Sequence, residues 1–201
     1  MNIGILFEGK PTNPGGFNQS LNSALILNEI NELKTNFTFI TLDKGSSDIL
    51  SKYKINTILY KNNILEKFLN RIISINLFKK ILKKLNLVHS FSNFLKKNKF
   101  DMVIFLSPHF LSLECLNINF IINIWDLDHK KDSYFLEHQN KKVYKIKEKI
   151  INNANNNAYK IIVAHNENKK ELLEYYNCKP EKILIQSFIS FLPKFYLENK
   201  E

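Results

Sequence analysis

The sequence predicts an α/β domain: a doubly wound, mostly parallel Rossmann-like sheet with helices on both faces. Three observations carry this. Short apolar runs of strand length alternate with stretches of helical period along the whole chain. Two of the runs, at 102–106 and 120–125, are almost continuously apolar, as parallel strands covered on both faces should be. No internal repeat or linker-like stretch divides the 201 residues, so 1–190 reads as one domain followed by a short tail at 191–201.

Taken in order, NIGILF at 2–7 is the first strand. Residues 8–16 then hold three of the five glycines and two of the five prolines. From 17 to 33, Leu21, Ala24, Leu25, Leu27 and Ile30 recur at three- and four-residue spacing, which predicts a helix. A strand, a Gly-rich turn and a helix together point backbone N–H groups and a helix dipole at an anion. The segment is neither G-x-G-x-x-G nor a P-loop, so it supports no dinucleotide or Walker site. The same glycines would also serve if they only made the turn.

The β-branched and aromatic run at 36–42 is the second strand, 46–53 a short helix and 56–60 the third strand. Residues 62–99 contain neither glycine nor proline, and their apolar residues keep a helical period with lysines between them, predicting two helices broken near Asn86. Such a basic amphipathic stretch can lie on an anionic membrane surface, or pack on the sheet with its lysines in water. The runs at 102–106 and 120–125 are strands four and five. A helix at 143–158, a strand at 160–164, a helix at 167–176 and a seventh strand at 182–185 complete the alternation.

A hydrophobic content of 44% is enough for a substantial core and excludes a disordered chain. No stretch approaches the roughly 18 apolar residues of a spanning helix, and the amino terminus has no signal-peptide pattern. The two cysteines, Cys115 and Cys178, lack metal-ligand spacing and read as buried or idle thiols of a reducing compartment. The net charge of +10, with a pI near 9.4, favours a polyanionic partner, although abundant Lys, Asn and Ile throughout also fit compositional drift.

Ligands of an open parallel sheet gather beyond the carboxyl ends of its strands. The polar residues expected there are the Gly15-Gly16 pair, Ser107 and His109 after strand four, Trp125, Asp126, Asp128 and His129 after strand five, and His165 after strand six. A carboxylate and an imidazole at i and i+3 could bind sugar hydroxyls, act as a base, or ligate a metal. No second group of ligands accompanies them, so no metal is assigned. Each has a plainer reading: Asp128 as a solvated charge beside Lys130 and Lys131, His129 as a surface-loop residue, Trp125 as a core aromatic ending a strand. The aromatic residues fall at core spacings and are not interleaved with lysine, which argues against nucleic acid as the partner.

Four segments, PGGFNQSL at 14–21, DMVIFLSP at 101–108, IWDLDH at 124–129 and IIVAHNENKKEL at 161–172, appear in the order of a known pattern. With YNCKPEKILI at 176–185, they resemble the N-terminal domain of GT-B fold glycosyltransferases of the retaining family-four group, which build bacterial cell-surface polysaccharides and lipopolysaccharides. The resemblance implies an acceptor-side domain. Gly15, Gly16 and Asn18 would approach the donor diphosphate and the acceptor. Asp126 and His129 would face the transferred sugar as catalytic residues, and Ser107, His109, Trp125 and His165 would line the cleft. It implies no cofactor, a nucleotide-sugar as co-substrate, and a glycan or lipid-linked acceptor. A cytoplasmic protein, peripheral on the inner face of the membrane, would fit.

The sequence departs from the family in three places. Tyr134-Phe135-Leu136-Glu137 keeps the Phe and Glu of a Phe-Pro-Glu pattern but has Leu for Pro, and His165 stands where a serine usually follows strand six. Family members also carry a second Rossmann-like domain that grips the nucleotide-sugar, and a complete enzyme needs about twice this length. The expectation is therefore a half-enzyme, with 191–201 starting a linker and a separately encoded C-terminal domain as partner. The alternatives are a non-catalytic remnant or adaptor that docks on a membrane or another transferase, and a basic nucleic-acid-binding domain.

Overall fold

The structure is a computed structural model that describes residues 1–8, 14–30, 36–61, 90–115, 117–131 and 140–187. The strands are β1 (Asn2–Phe7), β2 (Asn36–Thr41), β3 (Thr57–Leu59), β4 (Met102–Phe105), β5 (Asn119–Ile124), β6 (Lys160–Val163) and β7 (Ile183–Ile185). The helices are α1 (Pro14–Glu29), α2 (Lys44–Lys52), α3 (Ser90–Lys97), α4 (Asp128–Lys131), α5 (Lys141–Asn157) and α6 (Asn166–Tyr176). Short 3₁₀ turns occupy Phe110–Glu114 and Pro180–Lys182. Of the stretch expected to be helical at 62–99, α3 is described, and 62–89 lies outside the described residues.

All seven strands form one sheet in the order β3-β2-β1-β4-β5-β6-β7, with every neighbouring pair parallel. This is the Rossmann-like, doubly wound fold that the sequence predicts. Strand order reverses its direction of growth between β1 and β4, leaving a crevice at their carboxyl ends. Strand alternation divides the core into two layers. On β1, Ile3, Ile5 and Phe7 face α1 and α2 residues Leu21, Ala24, Leu25 and Leu50, while Leu6 faces the layer containing Phe91, Leu95, Ile150, Ile151, Ala154 and Leu172 from α3, α5 and α6. Both cysteines are buried free thiols, and burial pushes the Cys115 thiol well up.

Helix ends are satisfied locally. Asp43 Oδ1 accepts from Ser46 N at 2.9 Å to cap α2, Asn140 Oδ1 accepts from Lys142 N at 3.0 Å to cap α5, and the buried Glu114 carboxylate accepts from Phe91 N at 3.2 Å in the first turn of α3. Lys54, Lys99 and Asn177 adopt left-handed φ of 60°, 57° and 48° after α2, α3 and α6. Each turns the following residue, Ile55, Phe100 or Cys178, back into the core, with its N–H bonded to Leu50, Leu95 or Leu172 O.

The largest boundary difference is in α1, which starts at Pro14 rather than at 17. Proline suits the first helical position because its missing N–H would have no intrahelical partner there. Gly15 and Gly16 therefore lie within the first helical turn, and neither has positive φ. Their role is not to make a turn.

Candidate functional site

The carboxyl edge of the sheet brings together most of the residues singled out in the sequence. Gly16 packs against Trp125: a Cβ built on Gly16 would lie 2.6 and 2.7 Å from indole carbons. Nothing lies within 4 Å of the corresponding position on Gly15, which is exposed. Asn18 is exposed one turn further along α1. Trp125 is half-buried, and its Nε1 has no hydrogen-bond partner among the described residues. Beside it is a depression lined by Gln19 and Ser23 of α1, Asn123 and Ile124 of β5, Val163 at the end of β6, Ala164 after it, and Gln186. Helix α1 thus leans over the ends of β5 and β6.

Asp126 follows directly. Its side chain is 44% exposed, and Lys147 Nζ of α5 approaches Oδ1 at 3.6 Å. A carboxylate this open and loosely paired remains available to a ligand. After β4, Ser107 and His109 are both buried, the His109 side chain being 4% exposed. The His109 Nδ1 accepts from Leu111 N–H at 3.2 Å, which leaves the ring proton on Nε2. That Nε2 lies 3.3 Å from Glu8 Oε2, at the end of β1, out of line for a full hydrogen bond. Glu8 was not singled out in the sequence. Its position as the first polar residue after the first strand was the available signal.

His129 is neither a surface-loop residue nor open to the cleft. It lies in α4 with its side chain 1% exposed, packed against α5 and α6. Its Nε2 is 2.9 Å from Glu148 Oε1, the Tyr176 hydroxyl donates to the same oxygen, and Lys130 Nζ donates to Glu148 Oε2 at 2.9 Å. The Lys130 ammonium also sits over the Tyr176 ring, 5.1 Å from its centroid. Burial pulls the His129 pKa down against the opposing Glu148 hydrogen bond. Burial works against ionisation of Glu148, but donation from Tyr176, Lys130 and His129 outweighs it and holds the carboxyl below its ordinary value. Burial, then the bond to Glu148, drive the Tyr176 hydroxyl far up, so it remains a donor. In sequence, Glu148 reads as one more charge on a lysine-rich helix, and nothing there marks it as the centre of a network.

Asp128 is exposed, as its plainer reading expects, but the neighbouring lysines are not idle: Lys130 pairs with Glu148, and Lys131 with the buried Glu171. His165 precedes α6, 57% exposed at its side chain and 3.5 Å from Glu167, so it stands at the rim rather than inside. Among the described residues, no group of three or more His, Cys, Asp or Glu is placed to hold a metal ion, and no helix is long and apolar enough to cross a membrane.

Chemically, the edge offers the N-terminal turn of α1, whose dipole favours an anion, and two accessible carboxylates, Glu8 and Asp126, for hydroxyl donors. No protein-family model and no curated protein matches the chain. Among solved structures it is similar to a UDP-GlcNAc 2-epimerase from Methanocaldococcus jannaschii, with a TM-score of 0.57 and 13% identity over 92% of this chain and 45% of that one. A glycosyltransferase from Rickettsia africae ESF-5 also matches, with a TM-score of 0.48 and 16% identity over 92% of this chain and 42% of that one. The chain thus spans less than half the length of either neighbour. The likeness to the epimerase is one of fold, and it agrees with a Rossmann-like half of a GT-B-like architecture.

Proposed function

We propose that this chain is the acceptor-side domain of a retaining, family-four-like glycosyltransferase acting in cell-surface polysaccharide or lipopolysaccharide synthesis. The observation that carries the reading is the meeting of Gly16 with Trp125 at the carboxyl edge, which joins the first and third segments of the family resemblance in one wall. The fold shared with a UDP-GlcNAc 2-epimerase is in keeping with a nucleotide-sugar as co-substrate.

In this reading the donor diphosphate lies over the N-terminus of α1, where the N–H groups of the first turn and the helix dipole stabilise the charge that grows as it leaves. The acceptor hydroxyl oxygen bonds to the anomeric carbon on the face the diphosphate vacates, and its proton passes to the departing diphosphate oxygen, giving retention. Asp126 faces the transferred sugar. His129 is a positioning residue: through Glu148 and Tyr176 it fixes α4 and, with it, the loop carrying Asp126. The rest of the donor site belongs to a second Rossmann-like domain. A lipid-linked acceptor at an anionic membrane surface suits the net charge of +10.

The test is to compare glycan and nucleotide-sugar binding by this polypeptide on its own. Binding to an arrayed bacterial glycan, with nucleotide-sugar affinity weaker than millimolar, is expected. Tight nucleotide-sugar binding, or turnover by this polypeptide alone, would overturn the acceptor-side reading.

A further inference from the structure

Glu8 and His109 meet at the point where strand order reverses between β1 and β4, the place in such a sheet where a ligand is expected. Their arrangement inverts the usual carboxylate–imidazole pair. Here the imidazole is the buried member, with its side chain 4% exposed, and the carboxylate is the outer one, 39% exposed. The ring cannot turn to serve another partner. Its Nδ1 is occupied by Leu111 N–H, and its face packs on Phe110 with centroids 4.3 Å apart. The remaining Nε2–H is buried and lacks an aligned acceptor, with Glu8 Oε2 3.3 Å from the nitrogen.

An ionised carboxylate is acceptor-only and has about four lone-pair sites, so one N–H at its rear leaves it unsaturated toward the cleft. It attracts hydroxyl donors and repels phosphate. That separates it from the first turn of α1, which attracts phosphate. We infer that Glu8, held by His109, is the acceptor-recognition carboxylate of this cleft, taking hydrogen bonds from one or two adjacent hydroxyls of a sugar. Binding would draw the carboxylate into line with the His109 N–H. The inference rests on the acceptor-side reading, because a sugar hydroxyl must come within reach of the β1–β4 crevice. His109 is a positioning residue and does not touch the sugar.

The experiment is an NMR titration of the ¹⁵N-histidine-labelled chain with the methyl glycosides of glucose, galactose and N-acetylglucosamine, and separately with inorganic pyrophosphate. At least one glycoside should shift the His109 Nε2–H resonance. Glu8→Gln should weaken that glycoside about tenfold and leave pyrophosphate binding unchanged or tighter. His109→Gln, which keeps a side-chain N–H donor, should retain more glycoside affinity than His109→Leu. Equal glycoside binding by wild type and Glu8→Gln overturns the inference and leaves the acceptor-side reading standing. Failure of every glycoside to bind the wild type overturns both. Glu8 is accessible, so Glu8→Gln should fold normally, and the result does not depend on either His109 variant.

Discussion

Gly15 and Gly16 sit side by side in the first turn of α1 but answer to different constraints. At Gly16 an added methyl would press into the Trp125 indole at 2.6–2.7 Å, whereas at Gly15 it would meet nothing. Gly16→Ala is therefore expected to displace the ring and cost about 1–3 kcal/mol. Gly15→Ala should be neutral or stabilising by up to about 1 kcal/mol, since alanine restricts the unfolded chain and favours the helix. Trp125 is the only tryptophan, so its fluorescence reports on the contact directly. Gly16→Ala should shift the emission to the red and lower the melting temperature, and Gly15→Ala should do neither. The glycine pair stands out in the sequence, but its assignment to a turn was not correct. Both residues are helical, and what requires Gly16 is a ring more than a hundred residues away, which no local pattern reveals.

At the level of elements, α5 holds the loop after β5 from two sides, with Lys147 on Asp126 and Glu148 on His129 and Lys130. The network makes stability depend on pH in one direction. With its folded pKa below the ordinary 6.5, His129 leaves stability complete above that value. As pH falls through it, the unfolded chain takes a proton that the folded chain refuses, and stability declines. The folded pKa of Glu148 likewise lies below the ordinary 4.5. Its contribution is complete above 4.5 and is lost as the pH falls on through the folded value. Urea midpoints should thus fall in two stages between about pH 7 and pH 3. His129→Gln should remove the first stage. Glu148→Gln should remove the second and destabilise the domain at pH 7 by about 2–4 kcal/mol, because the amide keeps one acceptor oxygen and sets its own N–H groups against the groups that converge on the carboxylate. A midpoint flat from pH 8 to pH 5 would contradict the network. The elements themselves were easy to read, since period and turn residues mark them. The roles of Glu148 and Tyr176 were hidden, because a carboxylate among lysines looks the same in sequence whether it faces solvent or a neighbouring helix.

For the whole molecule, parallel pairing follows from alternation. Seven parallel strands joined by helical crossovers place polar strand ends along one edge, and right-handed connections fix which helices lie on which face. That is why the edge carrying Gly15, Gly16, Ser107, His109, Trp125 and Asp126 could be anticipated before any contact was known. The depth of each side chain could not, because burial is set by packing between layers. His129 is the clearest case: it follows the correct strand but points away from the cleft into α5 and α6. The central claim is that a carbohydrate ligand occupies this edge. The most direct measurement is backbone amide chemical-shift mapping with a glycan that binds the isolated chain. Shifts should cluster at Glu8, Gly15, Gly16, Ser107, Trp125 and Asp126. Shifts confined to the opposite edge, at Asn2, Asn36, Asp101 and Asn119, or no binding by any glycan, would contradict the claim.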